Sequence, residues 1–232
     1  EFGDKIPQPY RKHVINNVFI YTGYDPVEYY YLEEDQLLDT VTFDNQNFIY
    51  TLSPGIKYKT LSDANLIRPG QIYSESIAQK TRDNLNSLRL YRAVNVFFRP
   101  DEEAERIAKQ EESFLIFGDE DIAEGPPMGK LNCHIQLTPH TLQSYQIDLV
   151  GTNTASDIGV EGNLSFQHKN IFKGAEILDT KFRGMVQFLT GDNVFTNSVE
   201  VGGSVGLSFP RFLGPFTGKE FVKRYGPRTQ FS

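Results

Sequence analysis

The chain has 232 residues, a formal net charge of −7, a pI near 5.2 and a single cysteine. This length suffices for one or two domains with a sizeable core, and the acidic balance argues against a general nucleic-acid binder, which needs a basic face. One cysteine excludes an internal disulfide, and the lack of a run of about 18 apolar residues excludes a transmembrane helix but not membrane-spanning strands.

The first half of the chain predicts a small α+β domain. Residues 1–12 are polar and contain proline, which is typical of a linker or of the end of a preceding module. Residues 13–21 and 48–52 each predict a strand, residues 58–66 predict a short helix, and Ser74 is a good N-cap for a longer one. Helices packed on one face of a small sheet would give an α+β fold.

Two further strands are predicted at residues 90–99 and 130–137. Cys133 lies in the alternating pattern of the second one, so we expect a small buried hydrophobe there rather than a nucleophile. Residues 101–124 are strongly acidic, which predicts a solvated insertion, with a docking surface as the alternative. Residues 24–42 show no clean period.

The second half repeats one pattern four times, in which apolar and polar residues alternate. Because side chains of a strand point to its two faces in turn, each segment predicts a strand with one apolar and one polar face. In the last three segments the apolar positions carry no charge, whereas the intervening positions include Glu161 and Arg183. The apolar sets are Tyr145, Ile147 and Leu149; Ile158, Val160, Gly162, Leu164 and Phe166; Leu178, Thr180, Phe182, Gly184, Val186 and Phe188; and Val199, Val201, Gly203, Val205, Leu207 and Phe209.

Such an apolar face has to be covered by a second protein layer or by lipid. Strands of a membrane barrel need about 9–11 tilted residues, and the last three segments are long enough. With strands running alternately up and down, Tyr145, Phe166 and Phe209 would lie near one rim and Phe188 near the other, where barrels place aromatic residues. A soluble sandwich gives the same alternation, so periodicity leaves both environments open.

Residues typical of enzymes do not combine into a site. Gly202 to Gly206 fit the G-x-S-x-G pattern, but the alternation continues through Ser204 with no helix after it, so we expect Ser204 to be a small residue facing the lumen. The four histidines have no partners at metal-ligand spacing, and no phosphate-binding glycine loop is present. We therefore predict no enzymatic activity, no metal and no cofactor.

Residues 66–100 resemble the second helix and the following strand of a POTRA domain, the polypeptide-transport-associated module of outer-membrane assembly proteins of the BamA/TamA type. The matching features are the Pro69-Gly70 turn, Tyr73 before the helix, Leu85, and the passage from Leu90-Tyr91 to Val94. The acidic insertion at 101–124 is unusual for such a domain, and residues 22–55 match poorly.

Two later segments resemble the barrel of the same family. Residues 162–176 resemble its first periplasmic turn, in which an Asn is followed by an apolar pair and a Gly. Residues 200–212 resemble barrel strands of bacteroidete-like members. The residues that match the turn are Asn170, Ile171, Phe172 and Gly174.

The resemblance implies an α+β POTRA-like domain at 13–140, followed at 141–232 by the first antiparallel strands of a transmembrane β-barrel of which only the N-terminal part is present. It implies a bacterial outer-membrane protein, with the POTRA-like domain in the periplasm, that assembles or translocates other proteins. Its partners would be unfolded outer-membrane proteins, outer-membrane lipids and accessory lipoproteins, with no nucleic acid. The alternatives are a dedicated secretion pore of the same superfamily and a soluble α+β and β-sandwich binding module. The abrupt ends of the sequence lead us to expect a piece of a longer protein.

Clients would be held by strand addition, because a sheet edge exposes unpaired N–H and C=O groups. We expect residues 145–151 to form a short first barrel strand at a weakly closed seam, and residues 94–98 or 131–137 to offer an edge of the first domain unless both lie inside its sheet. The strand-addition candidates are Tyr145, Ile147, Leu149, Gly151, Val94, Val96 and Phe98. The predicted lipid-facing residues are Ile158, Val160, Leu164, Phe166, Phe182, Val186, Val201, Val205, Leu207 and Phe209.

Overall fold

The computed structural model describes residues 12–27, 39–50, 55–104, 106–107, 129–153, 157–191, 194–210 and 229–232. The chain divides into two units, one comprising Glu1–Ser87 and Tyr91–Pro139, the other Leu88–Leu90 and His140–Ser232. Each unit contains one five-stranded sheet. The polar segment predicted as a linker and most of the acidic insertion, from residue 108 to 124, lie outside the described residues.

The first unit is a mixed sheet with two helices. Its strands lie in the order β2-β3-β1-β5-β4, and the central strand β1 runs parallel to both of its neighbours while the outer pairs are antiparallel. No helix in the described part of the chain is long and apolar enough to cross a membrane. The elements are β1 (His13–Thr22), β2 (Asp39–Phe43), β3 (Gln46–Tyr50), α1 (Tyr58–Ala64), α2 (Glu75–Ser87), β4 (Tyr91–Pro100) and β5 (Gly129–Pro139).

One face of this sheet supplies the core. Val18, Ile20 and Ile135 are fully buried, and the helices add Leu61 and Leu85. The period of two on the strands and the apolar stripe on α2 explain why these positions converge. Cys133 is also fully buried, which confirms the expected small hydrophobe, and burial raises the pKa of its thiol to about 12.

A tight hairpin, which our sequence analysis did not predict, joins β2 to β3. Asp44 and Asn45 both adopt left-handed φ angles, 51° and 56°, as a two-residue hairpin loop requires. Beside it, the buried Gln46 side chain donates to Ser62 Oγ at 2.9 Å and accepts a hydrogen bond from Asn65 Nδ2 at 2.9 Å. These bonds fix the hairpin to α1 and the segment that follows it.

The second unit is an antiparallel sheet in which every strand pairs with the next one along the chain. This confirms the prediction of successive antiparallel strands, and pairing through β6, β7, β8 and β9 proceeds without a register shift. A short fifth strand pairs with the end of β9. The strands are β6 (Gln143–Asn153), β7 (Asp157–Lys169), β8 (Ile177–Gly191), β9 (Val194–Phe209) and β10 (Thr229–Phe231).

The strand expected at residues 145–151 is longer than predicted. β6 has 11 residues, because it begins at Gln143 and because Thr152 and Asn153 continue the pairing with β7 up to Ile158. Main-chain hydrogen bonding needs an extended backbone but no apolar side chain, so the end of the alternation did not mark the end of the strand. With 13, 15 and 16 residues in β7, β8 and β9, β6 is still the shortest of the four.

Candidate functional site

The register of the second sheet brings all four predicted apolar sets onto one face. Tyr145 lies opposite Phe166 and Ile147 opposite Leu164 in the β6–β7 pair. The same face continues across β8 and β9, through the pairs Leu164–Phe182, Val160–Val186, Gly184–Val201 and Thr180–Val205. Directly opposite residues share a face, so local alternation along each strand adds up to one apolar surface across the sheet.

This apolar face is open. Val201 is 86% exposed, and Val160, Phe182 and Val205 are each more than half exposed. Among the described residues no helix or second sheet covers these side chains. Leaving one large apolar side chain in water forgoes about 1.5–3 kcal/mol, so a face of this extent needs an apolar environment outside the sheet. Of the predicted lipid-facing residues, those with large exposed side chains are Ile158, Val160, Leu164, Phe182, Val186, Val201 and Val205, whereas Phe166, Leu207 and Phe209 are half-buried.

The opposite face of the same sheet is polar and carries an ion pair. Arg183 donates to the Glu161 carboxylate at 2.8 Å, and Asn163 Nδ2 donates to the other oxygen of that carboxylate at 2.8 Å. Gln167 donates to Asp179 at 2.7 Å across β7 and β8. Asn163, Gln167, Asp179 and Arg183 border a concavity of about 800 Å³. Ser204 also lies in its lining, on an uninterrupted β9. The sheet therefore separates an apolar side from a hydrated side.

Aromatic rings collect at one end of the apolar face. The Tyr145 and Phe166 ring centroids are 4.9 Å apart, and Phe209 meets Phe231 edge-on at 6.1 Å. Phe188 lies at the other end, opposite Ile158. Phe231 belongs to β10 and is 56% exposed; our sequence-based site prediction missed it because a single apolar residue in a three-residue strand shows no period.

Four of the strand-addition candidates lie on an outer strand. β6 forms one margin of the second sheet and carries Tyr145, Ile147, Leu149 and Gly151. Among the described residues no strand pairs with its outer side, and β6 and β10 are not joined to each other. The N–H and C=O groups on that side are therefore available to another extended chain.

Of the two strands of the first sheet that were considered as templates, β4 lies at an edge and β5 does not. β4, which carries Val94, Val96 and Phe98, is an outer strand. Arg82 of α2 donates to the Val96 carbonyl at 3.3 Å, which shows that α2 lies close to β4. Residues 131–137 cannot serve as a template, because β5 is paired with β1 on one side and with β4 on the other. Parallel pairing with a strand over 100 residues away was not visible in the local pattern.

No protein-family model and no curated protein sequence matches the chain. Two solved structures resemble it. "The crystal structure of BamA from Haemophilus ducreyi lacking POTRA domains 1-3" shares 12% identity over 75% of this chain and 37% of that one, with a TM-score of 0.33. "CdiB from Acinetobacter baumannii" shares 11% identity over 71% of this chain and 35% of that one, with a TM-score of 0.39. The chain thus spans little more than a third of either protein, and such low scores carry no functional assignment by themselves.

Proposed function

We propose that the chain is part of a bacterial outer-membrane protein that assembles or translocates other proteins. The observation that carries this proposal is the open apolar face of the second sheet, with Val201, Leu149 and Ile147 between 72% and 86% exposed and a paired polar face behind it. Lipid acyl chains would cover the apolar face, and water would fill the concave side. Strands of 11 to 16 residues are long enough to cross the hydrocarbon layer when tilted.

Client proteins would be engaged without covalent chemistry. In lipid an unpaired main-chain group costs several kcal/mol, so a free strand margin has a strong tendency to acquire a partner. The outer side of β6 can add an unfolded outer-membrane protein as a new strand and release it once the client pairs with itself. The outer side of β4 is the corresponding site for soluble, extended clients.

The first unit is proposed to be a POTRA-like domain in the periplasm. Its support is the α+β arrangement and the succession of α2 and β4 over the residues that carry the resemblance. Outer-membrane lipids and accessory lipoproteins complete the proposed partners.

Cysteine crosslinking tests the client site. Leu149→Cys on β6 is compared with the matched variant Phe182→Cys on the central strand β8, in outer-membrane vesicles supplied with an unfolded β-strand client carrying a single cysteine. Cys133 is buried and contributes no background. We expect crosslinks from position 149 and none from position 182, since both sides of β8 are paired. Equal yields at the two positions, or no crosslink at 149, would refute strand addition at this margin.

A further inference from the structure

The turn between β7 and β8, residues 170–176, is held in one shape by buried polar groups. The Glu176 carboxylate is almost fully buried and accepts hydrogen bonds from the main-chain N–H of Phe172 at 3.3 Å and of Gly174 at 2.9 Å. Asn170 is also buried, and its side-chain oxygen accepts the N–H of Ala175 at 3.0 Å. Three main-chain N–H groups of the turn are therefore hydrogen-bonded to the Glu176 carboxylate and the Asn170 amide rather than to solvent.

The backbone of the turn is strained, and the hydrogen bonds to Glu176 and Asn170 maintain this strained conformation. Asn170, Lys173 and Ala175 all adopt left-handed φ angles, of 72°, 60° and 65°, which residues other than glycine rarely do. At Gly174 an added Cβ would run into the Glu176 carboxylate. A loop that keeps three such residues is over-determined by its surroundings, and this arrangement points to a use for the shape.

What this rigid turn presents outward is apolar. Phe172 is 55% exposed and Ile171 36%, although a flexible turn could fold both side chains inward. Leu142, 40% exposed, lies at the same end of the sheet, because its carbonyl accepts the N–H of Lys169 at 2.7 Å. The three residues extend the apolar surface past the ends of the strands. They do so at the end of the sheet where the rings of Phe166 and Tyr145 are in contact.

The charges around these side chains are basic. Lys173 is exposed, whereas the one carboxylate of the turn, Glu176, is turned inward and accepts hydrogen bonds from N–H groups. Lys169 pairs with Ile177 and so lies on the polar face with Gln167. Asp179, the next acid along β8, lies on the polar face and accepts from Gln167. An exposed apolar pair followed by a lysine matches the boundary between anionic headgroups and acyl chains.

We propose that residues 170–176 form an interfacial anchor, in which Ile171 and Phe172 insert at the headgroup level of the leaflet at this end of the sheet while Lys173 contacts anionic lipid phosphates. The anchor rests on the proposed function, since it takes the apolar face to be in the bilayer. It would fix the depth of the β7–β8 hairpin, and with it the level at which β6 meets a client.

The test measures the depth of single sites in vesicles. An environment-sensitive fluorophore is placed on the full chain at Phe172→Cys, at Val201→Cys in the middle of the apolar face, and at Val27→Cys, an exposed site of the first unit. Vesicles of phosphatidylcholine with or without phosphatidylglycerol carry lipid spin labels near either the carbonyl or the methyl end of the acyl chain. The native cysteine stays in place because it is buried.

We expect the carbonyl-level label to reduce emission from position 172 about twofold and the methyl-level label to act mainly on position 201, with no effect at position 27. Phosphatidylglycerol should strengthen the quenching at 172. In a Lys173→Gln variant this gain should fall by about fivefold, whereas Lys57→Gln in the first unit should leave it unchanged.

The outcomes separate this anchor from the function on which it rests. Quenching at 201 without quenching at 172 overturns the anchor and leaves the membrane face standing. Loss of quenching at both positions overturns the anchor and the proposed function together. Quenching at 172 that is indifferent to phosphatidylglycerol and to Lys173→Gln overturns the headgroup contact. Circular dichroism of each labelled variant confirms that the strands have formed.

Discussion

His134 is stacked within a row of rings that crosses the first sheet. Its centroid lies 5.2 Å from that of Phe19 on β1 and 5.2 Å from that of Phe97 on β4, and Tyr21 Oη lies 3.1 Å from its Nδ1. Burial, and secondarily the cation of Arg99, lowers the pKa of this imidazole. The folded first unit therefore disfavours the protonated ring.

This lowered pKa predicts a loss of stability in mild acid. The contribution of His134 is complete above the pKa of an unfolded histidine, about 6.5, and declines as pH falls below that value toward the folded pKa. The thermal midpoint of the first unit, followed by circular dichroism, should drop between about pH 7 and pH 5. His134→Gln should reduce that drop, and His140→Gln, at an exposed site, should retain it. An identical pH slope in wild type and His134→Gln would contradict this.

The buried amides beside the β2–β3 hairpin give a second prediction at this scale. Gln46→Ala removes the acceptor of Asn65 and the donor to Ser62 in a site with no access to water. The free energy of unfolding should fall by about 1–3 kcal/mol, because buried polar partners are left unsatisfied. Gln79→Ala, on the exposed side of α2, is the control and should change little. Hydrogen exchange of the β3 and α1 amides reports both variants.

Individual elements depend on backbone geometry as much as on side chains. In the two-residue loop Asp44-Asn45, Asn45→Val should lower the free energy of unfolding by about 1–2 kcal/mol, since a β-branched residue is strained at positive φ. Asn45→Gly should be neutral or stabilising. Thr40→Val, in the extended part of β2, controls for the added branched side chain. Urea titrations in which Asn45→Val matches wild type would contradict the hairpin geometry.

The elements also mark how far local sequence reasoning reaches. Alternation at Val160, Phe182 and Val201 predicted which side chains share a face, because a strand's period of two is a local property. It could not identify that β1 pairs in parallel with β5, since nothing in either segment encodes a partner so distant along the chain. Thr152 and Asn153 were excluded from the first strand because they end the apolar alternation, although they pair with β7 through the main chain.

For the candidate site residues, the sequence likewise predicted the face of the sheet but not the order of the strands. The two-sided character of the second sheet follows from composition along each strand, whereas its outer margin is a property of strand order. A short dipeptide signal at Asp44-Asn45 between apolar residues could have indicated the missed hairpin. Gly226-Pro227 is a turn signal before β10, but it does not indicate which face Phe231 occupies.

At the scale of the whole molecule, the two faces of the second sheet should respond oppositely to added charge. Val201→Arg places a guanidinium on the apolar face beside Gly184, and folding into vesicles should become less favourable by about 2–4 kcal/mol. Met185 follows Gly184 on β8 and lies on the polar face, between Glu161 and Glu200. The Met185→Arg variant should therefore fold as well as wild type. Equal folded fractions for both variants would count against lipid contact.

Detergent dependence gives the coarser measurement at the same scale. Because the apolar face is exposed, the purified chain should remain monodisperse in detergent and aggregate after its removal, as size-exclusion chromatography can follow. A chain that stays monodisperse without detergent would favour the soluble binding module instead.

The unbroken ladder from β6 to β9 makes the second sheet mechanically anisotropic. A load applied along the strands must rupture a whole row of main-chain bonds at once, since no register shift interrupts them. A load that peels β6 away from β7 meets those bonds one after another. The outermost strand thus yields to peeling and resists sliding, so a pulled polypeptide can detach from this margin without dislodging the strands behind it.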